Sequence, residues 1–380
     1  MSLRCLFLVQ GEGRGHMTQA LAMQRLLTEA GHEVVGAVVG TSDRRAVPGF
    51  FLEKLQAPIT FAPSPNFVAD ANRRGVRPVK TVLRELGRVP SFLRGLSVID
   101  AAIEQHEPDV VVNFFEPLGG AYTAWYQPAV PFVCVAHQYM FHHPAYAFPA
   151  GQRLDRWGAR TFAHITAWGA SARLALSLYP AEDRPADRLF VLPPLLRDEV
   201  LSRPIGPTEP FFLVYILNSG YAEEIIRWHE DNPAVPLHCF WDRPGAADVE
   251  HHDATLTFHQ LDDVRFVDMM ARCRGLVCTA GFESVGEAMY LGKPVQVVPV
   301  DNHYEQQCNA HDTVRAGAGI RSTSFNIDRL RRYREDYAHD VEGFRAWMQS
   351  ERDRYVREIE RAVQRSAAVH LASASSAVTT

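Results

Sequence analysis

Three stretches of this 380-residue chain set chemically capable side chains beside glycines. The first reads Gly11-Glu12-Gly13-Arg14-Gly15-His16. Glycines permit positive φ and let backbone come close to a ligand. The unpaired N–H groups of a helix that follows would favour an anion. A dinucleotide fingerprint would read G-x-G-x-x-G, but this run is G-x-G-x-G-H, and no acidic residue ends the next apolar run. Nicotinamide binding is therefore disfavoured. His16 either caps the helix or serves as a general base facing a crevice. The second stretch, residues 279–288, reads TAGFESVGEA. A diphosphate at its glycine turn would meet helix N–H groups without a metal. Glu287, one to two turns on, could accept both hydroxyls of a ribose cis-diol. Glu283, at the helix start, would repel that diphosphate unless its side chain turned away. An ordinary helix cap explains this stretch equally well. The third, residues 299–310, reads PVDNHYEQQCNA, a row of amides and carboxylates suited to sugar hydroxyls or to a plain polar helix start.

Such residues need elements that hold them at one edge. Continuous apolar runs at residues 3–9, 33–40, 110–115 and 131–136 predict strands buried on both faces. Helical spacing at 18–30 and 99–106 lies between them. A second series follows Pro193, Pro194, Pro204, Pro207 and Pro210. Its strands are expected at 211–217, 237–241, 276–279 and 294–300, and its helices at 222–230, 264–273, 284–291 and 304–316. Alternation of this kind implies βαβ units and mostly parallel sheets. The expected fold class is α/β, two doubly wound Rossmann-like parallel-sheet domains facing a central cleft, with a long C-terminal helix. Residues 1–195 would form the first domain, 196–210 a linker, 211–332 the second domain, 333–365 a helical segment and 366–380 a disordered tail. Ligands of such sheets bind beyond the carboxyl ends of the strands, where all three polar stretches fall.

Composition excludes several classes. Lys and Arg number 39 against 44 Asp and Glu, a net charge of −5, so the chain lacks the basic excess of a phosphate-gripping nucleic-acid binder. No apolar stretch is long enough to span a bilayer. The N-terminal apolar run is too short for a signal peptide. Six scattered cysteines fit buried thiols in a reducing compartment, so the expected location is cytoplasmic. His142-His143 and His251-His252 are adjacent pairs that seldom converge on one ion. No D-x-D occurs, so neither a metal nor another cofactor is expected beyond a nucleotide-sugar co-substrate.

Together the three stretches resemble the GT-B glycosyltransferases, in the branch of the UDP-glucuronosyl/glucosyltransferases, the MurG-type enzymes and their small bacterial relatives. The resemblance is carried by Gly15-His16, Gly281-Phe282-Glu283, Glu287-Ala288, Gly292-Lys293-Pro294, Pro299, Glu305-Gln306 and Asn309-Ala310. It implies diphosphate contacts from Gly281, Phe282 and Ser284, a ribose contact from Glu287, and donor-sugar contacts from Glu305 and Gln306. His16 would be the base, and Gly15 beside it a donor contact. Asn218, Ser219 and Gly220 match a donor-contact loop, and His259 falls at the nucleobase loop. Relatives often carry Asp after the strand that here ends at Asn113, which makes Glu116 the nearest carboxylate to orient His16. Ala280-Gly281 stands where many relatives have paired glycines.

The implied activity is an inverting, metal-independent transfer of a sugar from a nucleoside diphosphate, with UDP expected, to an acceptor hydroxyl. A nucleotide-sugar epimerase or hydrolase, or a non-catalytic binder, are the alternatives. Phe114, His137 and Gln138 follow strand ends and could line the acceptor pocket or pack in the core. Between residues 73 and 94, Arg73, Arg74, Arg77, Lys80, Arg84, Arg88 and Arg94 stand against Glu85 alone. This basic amphipathic stretch is either a solvated face or a peripheral contact at the inner membrane face.

Overall fold

The structure is a computed structural model that describes residues 2–41, 47–64, 89–216 and 219–377. The basic stretch up to Arg88 and the expected donor contact Asn218 lie outside the described residues.

The first sheet contains β1 (Arg4–Gln10), β2 (Glu33–Thr41), β3 (Ile59–Pro63), β4 (Val110–Phe114), β5 (Phe132–Ala136), β6 (Ala172–Leu176) and β7 (Leu189–Leu192). Their spatial order is β3-β2-β1-β4-β5-β6-β7, all parallel. Helices α1 (Arg14–Glu29), α2 (Gly49–Lys54), α3 (Val89–His106), α4 (Pro117–Tyr126) and α5 (Arg153–Thr166) make the crossovers. The second sheet follows α6 (Asp198–Leu201). It holds β8 (Phe212–Ile216), β9 (Leu237–Trp241), β10 (Val249–His251), β11 (Leu256–Gln260), β12 (Leu276–Cys278), β13 (Val295–Val297) and β14 (Gly319–Arg321). Its order is β10-β11-β9-β8-β12-β13-β14, parallel except for the edge strand β10. Here the helices are α7 (Ala222–Glu230), α8 (Asp263–Arg272), α9 (Phe282–Tyr290), α10 (Tyr304–Arg315) and α11 (Asp328–Tyr333). β4 and β5 are buried at every position, as continuous apolar runs require when helices cover both faces.

In each sheet the strand order reverses direction once, at β1/β4 and at β8/β12. Chain segments diverge there and leave a crevice beyond the strand ends. α1 leaves β1 at the first reversal and α9 leaves β12 at the second, so the motifs that open these helices border the two crevices.

The glycines of the first motif act by close approach. None of Gly11, Gly13 or Gly15 has positive φ. A Cβ on Gly11 would fall 2.3 Å from the Gly40 carbonyl, to which the Gly11 N–H donates at 2.9 Å. A Cβ on Gly15 would fall 2.3 Å from Glu283 Oε2, on the other domain.

The C-terminal segment ends in the expected long helix, although two breaks interrupt the helical stretch from residue 333 before that helix begins. Extended backbone at Tyr337 follows a 3-10 turn, and α12 (Val341–Glu351) and α13 (Arg354–Ala377) follow in turn. Asp340 caps α12 by accepting from the Gly343 N–H at 2.9 Å, a start signal in mid-pattern. The expected disordered tail is also corrected: α13 runs on to Ala377, because alanine propagates a helix at almost no cost once packed residues such as Ile359 and Ala362 have nucleated it. α3 already includes Val89 and Pro90, ahead of the expected helical stretch at 99–106.

Candidate active site

Neighbouring strands deliver neighbouring side chains. β1, β4 and β5 lie side by side, and the residues that follow them are His16, Phe115 and His137. The His16 and Phe115 rings stack with centroids 5.6 Å apart. Phe115 holds φ 57°, a left-handed conformation that costs a bulky residue about 1–3 kcal/mol. That twist turns its ring out of the sheet and under the imidazole. Phe114, expected near an acceptor, instead points into the core and meets Phe7 edge-on at 5.0 Å.

From the second domain, β12 and β13 deliver Phe282, Glu283 and Glu305. The His137 and Phe282 rings are parallel within 4°, with centroids 4.6 Å apart. His137 Nε2 lies 3.6 Å from Glu305 Oε1. Burial would raise the Glu305 pKa, yet His137 beside it and the other nearby imidazoles hold it down, to about 2. His137, expected at the acceptor, thus bridges to the second domain. Gln138 is buried beside it, its Oε1 without a partner among the described residues.

His16 is 8% exposed. Burial lowers its pKa below 6.5, and the charges of Glu283 and Glu305 oppose that shift without overcoming it. The ring is therefore neutral at pH 7. Its Nδ1 is 3.4 Å from Gln19 Oε1. The Gln19 amide nitrogen in turn donates to Glu283 Oε1. A carboxylate accepts only, so it fixes which end of the Gln19 amide faces His16. The carbonyl then receives Nδ1–H and leaves the Nε2 lone pair free. Turned toward Gln19 and Gly15, the Glu283 carboxylate belongs to a chain that crosses from one domain to the other.

Glu116 does not orient His16. It is the N-cap of α4, accepting from the Leu118 N–H at 3.1 Å and from Ser64 Oγ at 2.5 Å. Its second oxygen is buried against Gly40 and unpartnered among the described residues. Desolvation raises its pKa to about 7.

The start of α9 is open. A Cβ on Gly281 would have only the Thr279 carbonyl near it, at 3.9 Å, and no side chain caps the first turn, where Ser284 is partly exposed. Buried Asn309 on α10 donates to the Ala280 carbonyl at 3.0 Å and so fixes the turn. Gln306 accepts from the Val300 N–H at 2.8 Å. Glu287 is 1% exposed, and both its oxygens accept from Arg197, at 2.6 and 2.9 Å. The diol contact expected of Glu287 would have to share oxygens that Arg197 already occupies. Arg197 also approaches Asp263 at 3.6 Å, and Asp263 accepts from Arg14 at 2.9 Å. This second polar chain also joins the two domains. Ser219 and Gly220 form a 3-10 turn after β8, and Ser219 lines a separate hollow with Trp241 and Phe258. His259 is corrected: it lies inside β11, stacked on Phe240 at 4.9 Å and bonded to His238 at 2.9 Å, so it belongs to the sheet interior.

Sequence reasoning missed Gln19 and Phe115. Gln19 had a local signal, since residues three apart on a helix face each other. Phe115 had none, because its orientation depends on a left-handed φ.

Among the described residues no three His, Cys, Asp or Glu side chains converge as metal ligands. No helix among them is long and apolar enough to cross a membrane. All six cysteines are buried and free.

The family model for glycosyl transferase family 1 matches residues 3–336. No curated protein matches by sequence. Among solved structures, the glycotransferase of kitacinnamycin is 18% identical at TM-score 0.62, covering 95% of this chain and 99% of that one. UGT2 of Phytolacca americana, complexed with UDP-2fluoro-glucose and pterostilbene, is 15% identical at TM-score 0.60, with 93% and 94% covered. The glycosyltransferase SsfS6 of Streptomyces sp. SF2575, complexed with thymidine diphosphate, is 16% identical at TM-score 0.60, with 94% and 99% covered. With two facing parallel sheets and a family match over most of its length, the chain belongs to glycosyl transferase family 1 and is a glycosyltransferase of the GT-B fold.

Proposed function

We propose that this glycosyltransferase inverts the anomeric carbon, works without a metal, and takes its sugar from a nucleoside diphosphate, UDP being the expected carrier. One observation supports this above others: a neutral, oriented imidazole on the first domain lies against the open helix start of the second. His16 Nε2 takes the acceptor proton as that oxygen bonds to the anomeric carbon. The bond from the anomeric carbon to the diphosphate breaks, and its electron pair leaves with the phosphate. The N–H groups of Phe282, Glu283 and Ser284 face the charge that develops. The forming imidazolium lies within the field of Glu283 and Glu305. A single displacement with no enzyme nucleophile gives inversion. Phe115, with Tyr139 and Phe162 around it, offers an aromatic wall beside the base, which suits an apolar acceptor framework.

A thermal-shift panel of UDP-, dTDP- and GDP-glucose identifies the carrier, since the preferred ligand raises the melting temperature most. Proton NMR of the transfer product, with pterostilbene as the trial acceptor, reads the stereochemistry. A β-glucoside from the α-linked donor is the expected result. An α-glucoside would overturn the single-displacement mechanism, and a larger shift with dTDP- than with UDP-glucose would overturn the choice of UDP.

A further inference from the structure

One cavity lies away from the cleft. It occupies about 690 Å³ between the edge strand β7, with the turn before it, and one face of α13. Five guanidinium groups line it: Arg188 from the turn, and Arg354, Arg357, Arg361 and Arg365 from the helix. The helical four recur at intervals of three or four residues, which puts them on one face. Two carboxylates line it with them, Asp183 and Glu358, and Glu351 beside it pairs with Arg354 at 2.8 Å, leaving two positive charges in excess. Asp183 is matched by Arg354, and Glu358 Oε1 accepts from Arg361 at 2.6 Å. Arg365 lies over the Phe190 ring at 5.9 Å, and Arg188 spends one N–H on the Ala170 carbonyl at 3.2 Å. The Arg357 guanidinium has no partner among the described residues.

A folded chain rarely gathers five arginines on one concavity, because like charges repel. Planar forks in this arrangement match the oxygens of a phosphate group. The second oxygen of Glu358 adds a different demand. It is buried, the residue is 1% exposed, and it has no donor among the described residues. A carboxylate oxygen so placed calls for a hydroxyl or amine hydrogen. A ligand must then carry phosphate oxygens and a hydroxyl donor a short distance apart. The cavity volume falls within the range of small-molecule sites.

We infer that this cavity is a second ligand site, which binds a phosphorylated sugar or polyol through Arg188, Arg357 and Arg361 while its hydroxyl donates to Glu358. The site is separate from the nucleotide-sugar cleft. It stands where α13 returns to the first domain after α12 has packed on the second, so its occupant bears on the strap that joins both domains.

Isothermal titration of the full chain with glucose 6-phosphate tests this, with saturating UDP present to block the cleft. One site is expected. Inorganic phosphate should bind at least about tenfold more weakly, since it lacks the neighbouring hydroxyl donor. Arg357→Gln should weaken glucose 6-phosphate binding at least about tenfold while nucleotide release from UDP-glucose stays unchanged. Glu358→Gln should abolish the preference over inorganic phosphate. Absence of binding at millimolar glucose 6-phosphate would overturn the inference. So would equal affinity for inorganic phosphate, binding unaffected by Arg357→Gln, or capture by phosphatidylinositol vesicles without binding of the soluble sugar phosphate.

Discussion

Gln19→Leu isolates the link between the two domains at the base. The substitution keeps the bulk of the side chain but removes the carbonyl that holds His16 Nδ1–H and the amide that donates to Glu283. His16 then exchanges freely between tautomers and loses part of its orientation. The Nδ1 contact is long, at 3.4 Å, and joins neutral groups. A bond of that kind contributes about 0.5–1.5 kcal/mol. Turnover should therefore fall roughly 2- to 10-fold, far less than the loss of the base itself. Glu283→Gln separates orientation from charge. Its amide carbonyl can still accept from Gln19, but the negative charge that raises the His16 pKa is gone. With His16 as the proposed base, the neutral imidazole is the active form, so the rate rises with pH through the His16 pKa. In Glu283→Gln that acid limb should move to lower pH, while the plateau falls because the imidazolium formed during reaction loses a neighbouring carboxylate. Nucleotide release from UDP-glucose into water, followed from pH 4.5 to 9, about two decades either side of an ordinary histidine, reads both effects. A Gln19→Leu enzyme with unchanged turnover, or a Glu283→Gln limb displaced to higher pH, would refute this chain of orientation.

Three further outcomes follow from the same contacts. Arg197→Met leaves the Glu287 carboxylate, 1% exposed, without its bidentate partner; urea unfolding should show a loss of about 3–5 kcal/mol, and a loss near zero would mean water reaches that carboxylate. Glu116 has a folded pKa of about 7, above its ordinary 4.5, so its contribution to stability is full below pH 4.5 and is lost as pH rises through about 7. Glu116→Gln should therefore stabilise the fold more at pH 8 than at pH 5, by up to roughly 3 kcal/mol, in melts at the two pH values. Gly15→Ala places a methyl 2.3 Å from Glu283 Oε2; turnover should drop as in Gln19→Leu while thermal stability holds, since alanine favours the helix by about 1 kcal/mol.

Much of the scaffold was legible because strands covered on both faces must be apolar throughout, as the runs at β1, β2, β4 and β5 are. Short or partly exposed strands gave no such signal: β3 is exposed at Thr60 and Phe61, and β14 has three residues. The cleft partners His16, Phe282 and Glu305 were legible because each follows a strand end. Glu116 and His259 misled for one reason. A polar residue near a strand end can face the cleft or cap and fill the interior, and its neighbours in space decide which. Glu116 was claimed by the α4 N-terminus and His259 by His238. The partner of Gln19 lies 264 residues away, beyond any local pattern.

The central claim is that His16 acts as the base, and the most direct measurement compares binding with turnover in His16→Ala. Titration with UDP-glucose should give a Kd within about twofold of the parent, since the imidazole faces the acceptor side. Transfer to pterostilbene should fall by about 10²–10⁴-fold. A His16→Ala enzyme that turns over normally would contradict the account.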